Sequence, residues 1–189
     1  MSKPRKTAHK PKHKSQVRKG AFRPLVPEAP LPLAASPSVG VRLVRPDGVE
    51  IRLGSLLDQV YSMEDTDGTQ YHWSVSEATR RALIRPHPMT LCLREAGLTV
   101  AVVRQLYHGM DEQFALTRDL SVPLLFVPFN GSHQLIDGWH RLFKAASTGV
   151  DELPALLLSQ EDADASLVIK LPPGQRLDWG QHEKAAVTP

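Results

Sequence analysis

The decapeptide Leu135-Ile136-Asp137-Gly138-Trp139-His140-Arg141-Leu142-Phe143-Lys144 decides how this chain is read. An apolar strand end runs into Asp-Gly and then, with no spare residue, into a helix whose first turn carries His140 and Arg141. The unbonded N–H groups of a helix start and the positive end of its dipole attract anions, so backbone and basic side chains converge on one point. On a helical wheel Trp139, Leu142, Phe143 and Ala146 form an apolar stripe, His140 and Lys144 share a polar face that looks outward, and Arg141 lies beyond it. Asp137 stands where an N-cap belongs, its carboxylate placed to accept from the N–H of His140. Gly138 relaxes the backbone where a ligand would approach, and Gly149 closes the helix. The plainer alternative is an ordinary capped amphipathic helix after a strand, and the pattern alone leaves both open.

Working outward, Leu124-Leu125-Phe126-Val127 is an uninterrupted apolar run suited to a strand buried on both faces. Asn130-Gly131 turns it into the strand that ends at Ile136. Beyond the helix, Leu153 to Leu158 reads as another strand, and Ser159 with Asp162 caps a helix expected to run through Val168. Upstream, Asp111 to Thr117 reads as a short helix. Thr99 caps a helix ended by Gly109, and Thr90 to Ala96 reads as a helix stopped by Gly97. Two helices joined at Gly97 suggest a helix-turn-helix, but the second offers only Arg104, Gln105 and His108, too little basic surface for DNA.

Ser74-Val75-Ser76-Glu77 is a capping box opening a helix to Ile84, which Pro86 and Pro88 end. Met63 to Gln70 carries Asp65, Asp67 and Gly68 but lacks the later ligands of a calcium loop, so it reads as a surface loop. His72 and His87 have no companions at ligand spacing, and no metal centre is expected from protein ligands alone. Ser55 caps a short helix expected through Tyr61. Before it, Val41 to Val44 and Val49 to Leu53 alternate with period two around Pro46-Asp47-Gly48 as a hairpin.

The order strand, Asp137-Gly138-x-His140-Arg141, apolar helix, Gly149, strand resembles the ParB/sulfiredoxin fold, whose members carry Gly-x-(His/Arg)-Arg at a helix start beside nucleotide phosphates. The resemblance covers Leu124 to Ile169, about a quarter of the chain. Sulfiredoxin carries Gly-Cys-His-Arg at this turn; here Trp139 takes the cysteine's place and Cys92, the one cysteine, is far away in sequence. Reductase chemistry is therefore not expected. The partition members carry Gly-Glu-Arg-Arg, so His140 departs from them too, and the Asp-Gly-x-His-Arg form is more similar to kinase-like branches. The resemblance implies a nucleotide, ATP or CTP with magnesium, held by Gly138, His140, Arg141 and Lys144. Asp137 and His140 are the candidate catalytic residues, and the motif offers no general base beyond Asp137 itself.

The net charge of +3 hides an asymmetry: Met1 to Arg23 holds nine of the 23 basic residues and no acid, leaving 14 basic against 20 acidic residues, or −6, in the remainder. This arm has almost no apolar residues and is expected to be disordered, with a proline-rich spacer after it. Residues 3–23 are candidates for contact with DNA through counterion release. No apolar stretch reads as a signal peptide or a membrane span, and a single cysteine suits a reducing compartment, so a cytoplasmic protein is expected. The expected architecture is α+β (mixed α/β): a basic arm over 1–38, one domain over 39–172 with its ParB/sulfiredoxin-like part at 111–172, and a loose tail over 173–189. The expected function is binding of a nucleotide or phosphate, with NTPase or kinase-like activity in a DNA-associated setting. The alternative is a non-catalytic DNA-associated or partner-binding protein that uses its arm.

Overall fold

A computed structural model describes residues 16–17, 22–24, 41–53 and 59–175. In chain order these form β1 (Gln16–Val17), β2 (Phe22–Pro24), β3 (Val41–Val44), β4 (Glu50–Leu53), β5 (Val60–Glu64), β6 (Gln70–Ser74), α1 (Val75–Ile84), β7 (Pro88–Cys92), α2 (Leu93–Ala96), α3 (Val100–Leu106), α4 (Glu112–Leu116), β8 (Leu124–Phe129), β9 (Ser132–Asp137), α5 (Trp139–Thr148), β10 (Glu152–Leu157), α6 (Gln160–Ser166) and β11 (Leu167–Leu171). The fold is α+β.

One sheet runs in the order β1-β9-β8-β10-β7-β2 and the other β3-β4-β11-β6-β5. All pairings are antiparallel except β8 with β10, which α5 connects as a crossover from β9. The apolar run of β8 explains itself in this arrangement, because successive side chains of a strand point to opposite faces. Leu124 and Phe126 enter a core with Trp139, Leu142 and Phe143 of α5 and Val103 of α3. Leu125 and Val127 enter a second core with Ala78 and Ala82 of α1, Ala163 of α6 and Trp73 of β6. Each fully buried Leu or Phe here contributes about 1.5–3 kcal/mol. The two sheets are tied by side chains, the Gln134 amide of β9 donating to the Tyr61 hydroxyl of β5 (2.8 Å) and Asn130, in the β8–β9 turn, donating to the Asp65 carboxylate (2.9 Å).

Four helix starts fall where the sequence placed them. Ser74 accepts from the Glu77 N–H, Thr99 from Val102, Asp111 from Phe114 and Ser159 from Asp162. Five expectations are corrected. Thr90 to Ala96 is not one helix: residues through Cys92 belong to β7, which pairs with β10, and only Leu93–Ala96 is helical. The stretch Met63 to Gln70 is a surface turn only in its middle, since its ends lie in the hairpin β5–β6. The helix after Ser159 ends at Ser166, and Leu167–Leu171 is a strand between β4 and β6. Val60 and Tyr61 belong to β5, not to a helix from Ser55, whose residues 55–58 lie outside the described residues. Within the arm, Gln16–Val17 pairs with β9 and Phe22–Pro24 with β7, and the Phe22 ring packs edge-on against Phe126 at 4.9 Å. The rest of residues 1–38 and the tail from residue 176 lie outside the described residues. Among the described residues no helix is long and apolar enough to cross a membrane.

Candidate functional site

The turn from β9 into α5 is built by close packing. Pairing between β8 and β9 slips by one residue, Leu125 facing Asp137 and Phe126 facing Leu135, so Ile136 is an extra residue and the strand bends as it delivers Asp137. Gly138 then takes φ +109°, and a side chain there would bring its Cβ within 2.5 Å of Leu124 Cδ2 and 3.0 Å of Arg141 Nη2. Only glycine fits. The first bond within α5 runs from the Leu142 N–H to the Gly138 carbonyl at 2.9 Å, and no side chain caps the helix. This corrects the reading of Asp137 as N-cap: Gly138 holds that position, and the Asp137 carboxylate turns to Arg141.

Arg141 is also placed differently from the helical wheel, which set it outside the packing. It is buried, 6% exposed, with Nη2 donating to Asp137 Oδ2 at 2.9 Å and to the Pro123 carbonyl at 3.2 Å. Its Nε is buried without a hydrogen-bond partner. A cation in the first turn opposes the helix dipole by about 0.3–1 kcal/mol. The Asp137 carboxylate offsets this, and the orphaned Nε–H leaves part of the guanidinium's donor capacity unused.

Asp137, Gly138, His140 and Arg141 line a pocket of about 250 Å³ together with Gln59, Phe114 and Arg118. Lys144 does not line it. Its ammonium donates to the Arg118 carbonyl at 2.7 Å, so it grips the segment after α4 and does not face a ligand. His140 is half-buried between Phe114, edge-on at 5.1 Å, and Tyr107 at 5.9 Å. Trp139 is buried and stacks on Tyr107 at 5.6 Å, the core anchor its place on the apolar stripe called for. Arg118 lies over the face of Phe114, its guanidinium carbon 4.8 Å from the ring centre. The Asp119 carboxyl is held below its ordinary range by hydrogen bonding from Ser121 and then by the charges of Lys144 and Arg141, which register the positive field around this helix start.

Of the predicted site residues, then, four meet at one pocket and the fifth supports it from behind. Gln59, Phe114 and Arg118 were missed. Gln59 precedes a strand of the other sheet, and Phe114 and Arg118 sit on and just after a helix more than twenty residues before the motif, so no local signal ties them to it. Asp137 is the one carboxylate in the lining, and among the described residues no group of three or more His, Cys, Asp or Glu converges to hold a metal. The chain matches no family model, and neither the curated proteins nor the solved structures hold a match to it.

Proposed function

We propose that this protein binds a phosphate-bearing ligand, a nucleotide in the first instance, at the pocket where α5 begins. The observation that carries the reading is Arg141: a buried guanidinium with an unpartnered Nε, at an uncapped helix start that opens on a pocket. Helix N–H groups and a fixed arginine are the donors a phosphate uses. The volume suits one phosphate group with its nearest atoms, about eight waters' worth of liquid, so the rest of a nucleotide would extend past Phe114. A magnesium ion carried in with the phosphates would have the second oxygen of Asp137 as its one carboxylate, a common arrangement for that ion. The resemblance of Asp137-Gly138-x-His140-Arg141 to the ParB/sulfiredoxin signature points the same way. In this reading His140 is a donor at the pocket wall, Asp137 orients Arg141, and Lys144 acts through Arg118. The basic residues of 3–23 would place the protein near DNA in the cytoplasm. Arg23 is then spoken for, since it pairs with Glu95.

Thermal shift with ATP, CTP, AMP and inorganic phosphate, each with and without magnesium, tests the proposal. A ligand at about 100 times its dissociation constant should add about 2.7 kcal/mol. Arg141→Gln should weaken that ligand at least tenfold, about 1.4 kcal/mol. It should also cost about 1–2 kcal/mol of stability, because the part-exposed Asp137 loses a charged hydrogen bond. Stabilisation by none of the four would end the reading.

A further inference from the structure

Among arginines whose side chains the structure describes, Arg118 alone has no carboxylate within 4.0 Å. The others are paired, as expected in a folded part that carries more acid than base. Arg118 instead rests its guanidinium on the Phe114 ring, half-buried at the wall of the pocket. A cation on an aromatic face keeps most of its donors free, and the contact is worth about 0.5–1 kcal/mol at exposed sites. Its main chain, by contrast, is fastened: the Lys144 ammonium reaches across from α5 to the Arg118 carbonyl. The arrangement fixes where Arg118 starts and leaves its charge unspent.

Charges across the pocket sharpen the point. Arg141 and Asp137 form an ion pair, so together they contribute no net charge. Arg118 is the one unpaired formal charge in the lining apart from any proton on His140, and it adds to the partial positive charge of the helix start. An occupant is therefore favoured in proportion to its negative charge. A terminal phosphate carries about two negative charges above a second pKa near 6, whereas a phosphodiester carries one.

Resting on the phosphate reading above, we infer that the pocket selects terminal phosphates over phosphodiesters, and that Arg118 is the residue that makes the selection. Lys144 is its positioning residue. It follows that the DNA backbone, a chain of diesters, is not the ligand of this pocket.

The probes are AMP and 3′,5′-cyclic AMP, which share base and sugar and differ in one phosphate ester bond and one charge. They are titrated calorimetrically into the full-length chain at about pH 8, where AMP is a dianion. The native protein should prefer AMP at least tenfold. Arg118→Gln should bring the ratio close to one with the melting temperature lowered by no more than the loss of the Phe114 contact, since no protein carboxylate depends on this side chain, and Arg118→Lys should retain most of the preference. Lys144→Met should lower the preference in the native background and do nothing further in Arg118→Gln. If AMP binds and Arg118→Gln leaves the ratio intact, the selection belongs to other groups and this inference fails while the phosphate reading stands. If Lys144→Met costs the same affinity with or without Arg118, Lys144 touches the ligand itself and its assignment is wrong. If neither AMP, ATP nor inorganic phosphate binds the native protein, the phosphate reading fails first and takes the inference with it.

Discussion

Three of the described strands pass into helices with at most one connecting residue, and two of them, β6 and β9, solve the same problem in opposite ways. At the start of α1, Ser74 accepts from the Glu77 N–H at 3.1 Å, and the buried Glu77 carboxylate is gripped by Arg80 and Arg81 from its own helix. Arg81 also reaches Asp162 on α6, so the helix start is sealed by four charged side chains and one hydroxyl. At the start of α5 the cap is Gly138, which has no side chain to offer, the first-turn charge is positive where the dipole disfavours it, and a buried donor is left over. The closed turn has nothing to give a ligand. The open one gives up local stability and leaves its first N–H groups without a side-chain cap, the donors the proposed anion would use.

The comparison breaks most sharply at Glu77. Glu77→Gln should cost about 3–5 kcal/mol by leaving Arg80 and Arg81 short of a buried partner, and should leave phosphate affinity unchanged, as denaturant unfolding and calorimetry on one variant would tell. The pH dependence follows from the same contacts. Burial pushes the Glu77 carboxyl up, but hydrogen bonds and charge from Arg80 and Arg81 outweigh it and hold the group below its ordinary value. Its stabilisation is therefore complete above that ordinary value of about 4.3 and fades as pH falls toward the lowered one. Glu77→Gln should flatten this acid limb, and an unchanged limb would assign it to other carboxylates.

Next in size is Gly138→Ala. The added carbon meets Leu124 at 2.5 Å and forces a residue with a side chain to φ +109°, so a loss of at least about 1–3 kcal/mol is expected from backbone strain alone. Phosphate stabilisation should fall with it, because Arg141 lies against the same carbon. A variant of native stability would mean the turn is looser than its packing indicates. The smallest effect tests the closed turn: Ser74→Ala should cost about 0.5–2 kcal/mol, the ordinary value of a lost N-cap, with no change in ligand binding. Were Ser74→Ala to weaken phosphate binding, the two helix starts would be coupled and the contrast between them would need revision.

What could be read in the chain follows the range of the interaction responsible. Caps are local: Ser74, Thr99, Asp111 and Ser159 each bond a backbone N–H three residues on, and all four helix starts were placed from sequence. The β8–β9 hairpin and α5 were equally legible, because an apolar run, Asn130-Gly131 and a helical stripe are statements about neighbours in sequence. Strand β7 was misread as helix, β11 as the end of a helix, and the ends of β5–β6 as loop, because a strand is completed by partners far away. Met89 and Thr90 become a strand against Ala155 and Pro154, and Ile169 one against Ile51. The same division runs through the site. Sequence alone determined that Asp137, Gly138, His140 and Arg141 meet at one helix start, since they fall within five consecutive residues around a single turn. Tertiary structure decided that Arg141 is buried and paired with Asp137, that Lys144 turns to a main-chain carbonyl, and that Gln59, Phe114 and Arg118 complete the pocket. Partnership between residues far apart in sequence depends on which surfaces the folded core brings within a few ångströms, and no spacing along the chain encodes that distance.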